Sequence, residues 1–130
     1  MPRQPITVGK PFEQTVPFSL GVVTSGRLLF TAGITARDPD GQIVGVGDMS
    51  AQVQQCFDNL KDILDSVGAD FGQVVRYMIY TTDMKAFNEG TRSIRWPYFV
   101  GRPCSTLIAV PELMLPEMMV EIEAIVALDD

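Results

Sequence analysis

Residues 49–67 set the hydrophobic period of this chain. Val53, Cys56, Phe57, Leu60, Ile63, Leu64 and Val67 recur at steps of three and four, which makes one apolar stripe along a helix. Asp48 stands where an N-cap is expected, and Gly68 where such a helix stops. A helix with one apolar face must pack against something, and its neighbour in sequence changes period. In QVVRYMIYTTD (73–83), Val75, Tyr77 and Ile79 alternate with Arg76, Met78 and Tyr80, the two-residue repeat of a strand. Helix on sheet is the fold class to expect.

The remaining segments extend that reading. In LGVVTSGRLLFTAGIT (20–35), Ser25-Gly26 is a hairpin signal between Val22-Val23 and Leu28-Leu29-Phe30. Asp38-Pro39-Asp40-Gly41 is turn chemistry, because proline presets φ and glycine accepts positive φ. Asp83 caps a second helical segment, 84–96, weakened by Gly90 and ended by Pro97. Strands follow at 105–110 and 119–128, joined by a loop with Pro111 and Pro116. The order β-β-α-β-α-β-β predicts an α+β layer, a mixed sheet with two helices on one face, as a single domain over 1–130. The other face needs a cover, and RLLFTAGI and VEIEAIVAL point to self-association.

Composition removes much chemistry. There is no histidine, which excludes Ser-His and Cys-His dyads and any imidazole base. A net charge of −6 repels phosphate backbones, so no nucleic-acid partner is expected. No apolar run reaches the ~20 residues of a membrane span, and no signal pattern opens the chain, so a cytoplasmic location is expected. Cys56 and Cys104 lack metal-ligand spacing, and neither a metal nor a cofactor is called for. Cys56 falls in the helical stripe and reads as a packed core thiol.

MVEIEAIVAL at the end, RPCSTLIAV before it and GRLLFTAGI near the start resemble the Rid family, also called YjgF or L-PSP endoribonuclease-like. VPFSLGV and the segment from Ala51 to Met84 extend the resemblance over nearly the whole chain. It implies a chorismate-mutase-like fold, a homotrimer with a central barrel, and a cleft between each pair of subunits. Members of the family hydrolyse enamines or imines to a 2-keto acid and ammonia, holding the substrate carboxylate on an arginine. The resemblance makes Glu121 the catalytic residue, which orients water.

This chain departs from the pattern at the arginine. Aligning PCST with the family's Pro-Ala-Arg-Ser puts Ser105 at the arginine position; the alternative register makes Arg102 the missing guanidinium. Phe18 and Leu20 stand where the family has tyrosine and glutamine. The candidate substrate-binding residues are Phe18, Ser19, Thr31, Arg95, Ser105 and Leu107, with Arg95 a replacement anion clamp. Glu121 is expected in the same cleft. Strand parity turns Cys104 away from the side that Ser105 and Leu107 share, which makes it a packing residue and not a nucleophile. Glu123 and Arg92 read as solvent-facing charges. Two functions follow: a hydrolytic deaminase of a small enamine or imine with altered specificity, or a non-catalytic trimer that binds a small metabolite. An acidic chain without histidine gives ribonuclease chemistry little support.

Overall fold

The computed structural model describes residues 3–129. Strands β1 (Arg3–Ile6), β2 (Gly21–Thr24) and β3 (Leu28–Phe30) precede helix α1 (Met49–Ser66). Then come β4 (Val74–Thr81), α2 (Met84–Gly90), α3 (Arg92–Arg95), β5 (Cys104–Ala109) and β6 (Val120–Ala127). The main sheet has four strands in the order β3-β6-β4-β5, with β4 and β5 parallel and the other pairs antiparallel. It is the mixed α+β layer, chorismate-mutase-like, that the sequence predicts.

Helix α1 forms where the stripe predicts. The Asp48 carboxylate accepts from the Ala51 amide at 3.1 Å, which satisfies one of the open N–H groups of the first turn. At the other end Gly68 takes φ 70, and the Ala69 amide reaches back to the Leu64 carbonyl at 2.9 Å. Val53, Cys56, Phe57, Leu60 and Leu64 are buried on the sheet, whereas Ile63 is half-buried and Val67 is exposed. Tyr77, Ile79, Val120, Ile122, Ala124 and Val126 form the sheet's side of this core. Burial pushes the Cys56 thiol up to about 12, in keeping with a packing role.

Two expectations need correction, and one strand goes unannounced in the sequence. The Ser25-Gly26 bend forms, with Gly26 at φ 91, but β2 and β3 do not pair with each other. Instead β2 pairs with β1, from Arg3↔Thr24 to Ile6↔Gly21, and β3 joins the main sheet through Leu29↔Val126. The chain crosses between two sheets at this bend, and Leu29 packs half-buried against the core beside β6. Strand β1 itself carries no sequence signal, since RQPI is short and contains Pro5, which is tolerated only on an edge. Second, the helix predicted over 84–96 is two. After Gly90, Thr91 leaves helical geometry at φ −122 and its hydroxyl donates to the Phe87 carbonyl at 2.6 Å. Arg92–Arg95 then restart the helix and Trp96–Tyr98 close it as a tight turn.

Candidate functional site

The register of β4 and β5 decides which side chains can meet. Tyr77↔Ser105 and Ile79↔Leu107 put Ser105 and Leu107 on the helix-covered side of the sheet. Arg76↔Cys104 and Met78↔Thr106 put Cys104 and Thr106 on the open side. Cys104 donates there to the Val75 carbonyl at 3.2 Å.

On the covered side, beside edge strand β5, lies a cavity of about 490 Å³. Its walls are apolar, from Phe18, Ile79, Phe87, Phe99 and Leu107. Its polar groups are Thr15, Asn88, Ser105, Arg92 and Arg95, with Trp96 at the side. No acidic residue lines it among the described residues. Four of the residues expected in the site, Phe18, Arg95, Ser105 and Leu107, therefore share one hollow.

Arg95 is the unusual group. It is only 6% exposed, yet its partners are all neutral. Nε donates to the Thr91 hydroxyl at 2.9 Å, and Nη2 to the Asn88 carbonyl at 3.0 Å and the Asn88 side-chain oxygen at 3.3 Å. The guanidinium carbon sits 4.4 Å from the centre of the Phe87 ring. Desolvation, and then the like charge of Arg92, bring its pKa down to about 10. A buried cation costs several kcal/mol of solvation unless a counter-charge arrives. Here the protein supplies hydrogen bonds and a ring face, and no carboxylate lines the cavity among the described residues.

Other candidates lie elsewhere. The Ser19 hydroxyl donates to the carbonyls of Gly21 at 3.0 Å and Arg102 at 2.5 Å, and its amide donates to the Pro103 carbonyl. Arg102, at φ 58, donates to the carbonyls of Glu13, Val16 and Phe18 at 2.7, 3.0 and 2.8 Å. Both residues bolt the segment bearing Phe18 to the loop before β5, which holds one cavity wall in place. Thr31 is spent at the sheet edge, accepting from the Ala124 amide at 3.0 Å and donating to the Ala32 carbonyl at 2.8 Å.

Glu121 pairs with Tyr80 and Glu123 with Met78, so both carboxylates project from the open side. Within one protomer the sheet stands between Glu121 and the cavity. Gly33 makes room for the Glu121 carboxylate, since a methyl group there would overlap Oε2. Glu123 accepts from the Tyr80 hydroxyl at 3.0 Å.

Asn88 escaped the sequence reading as a site residue. It lies in the same expected helical segment as Arg95, whose guanidinium donates to its carbonyl at 3.0 Å across the break at Thr91. Arg92 is exposed, as expected, and also lines the cavity, with its guanidinium 5.1 Å from the Trp96 ring centre.

Among the described residues no cluster of three or more histidine, cysteine or acidic side chains is arranged to hold a metal, and no helix is long and apolar enough to cross a membrane.

Known proteins carry the same pattern. The endoribonuclease L-PSP family matches residues 9–128. Protein DfrA of Myxococcus xanthus is 33% identical over 110 residues, covering 84% of this chain and 83% of its own. A RutC family protein of Pyrococcus horikoshii is 30% identical over 119 residues, 88% of this chain and 93% of its own. Among solved structures, a Rid-family protein of unknown function from Yersinia pestis superposes with a TM-score of 0.89 at 32% identity, covering 98% of this chain and 100% of that one. A YjgF/YER057c/UK114-family member from Mycobacterium tuberculosis gives 0.67 at 29% identity, covering 97% and 99%. With residues 9–128 matched to the family and its fold shared, the chain belongs to the L-PSP endoribonuclease family, the Rid/YjgF proteins.

Proposed function

We propose that this protein is a cytoplasmic homotrimer that hydrolyses a small 2-imino acid, with Arg95 as its carboxylate clamp. The observation that carries the reading is Arg95: a buried guanidinium without an anionic partner, beside Ser105, where the family resemblance places an arginine. The clamp has moved from strand β5 to helix α3, and Ser105 leaves room for the substrate under it. Asn88 and Thr91 preorganise the clamp, so that little side-chain freedom is lost when the carboxylate binds.

The chemistry requires no cofactor. Water adds to the carbon of C=N, giving a carbinolamine; proton transfer to nitrogen and collapse to C=O expel ammonia. A carboxylate that takes the water proton and returns it to nitrogen suits both steps. Glu121 is that group in this reading, delivered by a neighbouring subunit, because its own protomer's cavity lies across the sheet. The open side supports such packing: Phe30 is 66% exposed there, with Ile108 also exposed.

The test follows ammonia and keto-acid release from freshly generated 2-iminopropionate and 2-iminobutyrate. Glu121→Ala should lower the rate by about 10²–10⁴, the usual worth of a general base. Arg95→Gln should raise KM by tenfold or more, as expected for loss of a charge-assisted pair. Release no faster than in buffer, or rates indifferent to both changes, contradict the reading.

A binding role without turnover is the second reading, favoured because no carboxylate lines the cavity of one protomer among the described residues. Thermal stabilisation by 2-oxobutyrate with no ammonia release would select it.

A further inference from the structure

The cavity holds two cations, and a 2-imino acid with a small apolar side chain uses one. Arg92 and Arg95 are three residues apart on α3, which puts their Cβ atoms about 5–6 Å apart on one helix face. Each lies over an aromatic ring, Arg95 on Phe87 at 4.4 Å and Arg92 on Trp96 at 5.1 Å. Both line the same hollow, and no carboxylate does among the described residues. Burial, and then the like charge of Arg92, bring the pKa of Arg95 down, so a second negative group near Arg92 acts on both cations. Arg95 is deep and Arg92 is exposed, which gives the hollow a charged floor and a charged mouth. Its volume of about 490 Å³ exceeds what a three-carbon acid fills.

We infer that the cavity prefers a dicarboxylic ligand: a four- or five-carbon 2-imino or 2-oxo acid, its 1-carboxylate on Arg95 and its distal carboxylate on Arg92. The inference rests on the Arg95 clamp of the proposed function and adds the second charge. A dianion with two or three linking carbons offers one carboxylate to each of the two cations that line this hollow, and offsets the like charge that Arg92 sets on Arg95. The imine of an acidic amino acid, formed by a reaction that oxidises its amino group, has this shape.

Stable oxo acids test it without turnover. Calorimetric titration of the protein at low ionic strength compares 2-oxoglutarate with its 5-methyl ester, which differs only in the distal charge. The diacid should bind roughly tenfold tighter, and salt should narrow the gap because Arg92 is at the mouth. In Arg92→Gln the two affinities should come within about twofold of each other. Equal affinities in the unsubstituted protein, or a preference that survives Arg92→Gln, overturn the inference while leaving the Arg95 clamp standing. Failure of both compounds and of 2-oxobutyrate to bind overturns the clamp itself, and this inference with it.

Discussion

Arg95 is held by neutral groups only, and that has a consequence in pH. There is no histidine in the chain, so nothing near the clamp titrates as an imidazole. Affinity for 2-oxobutyrate should stay flat between pH 6 and 9, then fall as pH rises through about 10, where Arg95 gives up its proton. Burial disfavours the charged form, so above pH 10 the titration of this group favours folding more, not less, until the higher pKa of the unfolded chain is reached. Loss of affinity at high pH is therefore a binding effect, and titrations at several pH values with circular dichroism as a control will separate the two. Gly33 offers a second check. Gly33→Ala should leave the melting temperature within a few degrees, because the overlapping atoms end a flexible side chain, but should swing the Glu121 carboxylate aside and cut deamination. At this scale the sequence announces residue types better than their partners. Arg95 was visible in TRSIRW, whereas Ser19 and Thr31 could equally serve a ligand or a backbone carbonyl, and the fold uses both for the backbone.

Elements were legible where one period ran long enough. Eighteen residues of α1 carry four turns or more of the same stripe, and its cap and stop are local chemistry. Asp48→Ala should cost about 1 kcal/mol in urea unfolding, the usual worth of an N-cap side chain. Gln52 shows what the stripe conceals. It sits between Met49 and Cys56 on the buried face, donating to the Gly45 and Glu117 carbonyls at 3.1 and 2.8 Å and accepting from the Met119 amide at 2.8 Å. A polar residue on an apolar face was the available clue. The partners of β2 and β3 were not legible, because a local turn signal cannot say which distant strand offers the better pairing. Nor was the break at Thr91, which depends on its hydroxyl finding the Phe87 carbonyl. That break matters for the site, since the Thr91 hydroxyl at the break accepts from Arg95 Nε at 2.9 Å.

For the whole molecule, parity along β5 and β6 was readable, but the side of the sheet that each presents was not. Ser105 and Leu107 face the helices and Glu121 faces away, so one copy of the chain carries the clamp and the carboxylate on opposite sides. Assembly is the way to bring them together. Sedimentation should give a trimer, and Phe30→Glu, a charge placed on the exposed apolar side, should yield folded monomers without deaminase activity. A monomer in the unsubstituted protein would leave Glu121 with no substrate to reach.

The most direct test is a crystal structure of the protein with 2-oxobutyrate. The account predicts its carboxylate about 3 Å from the Arg95 guanidinium, its apolar end against Phe18 and Leu107, and Glu121 of a neighbouring subunit facing its carbonyl carbon. A ligand bound on Arg102, or one bound at Arg95 with every Glu121 turned away from it, contradicts the account.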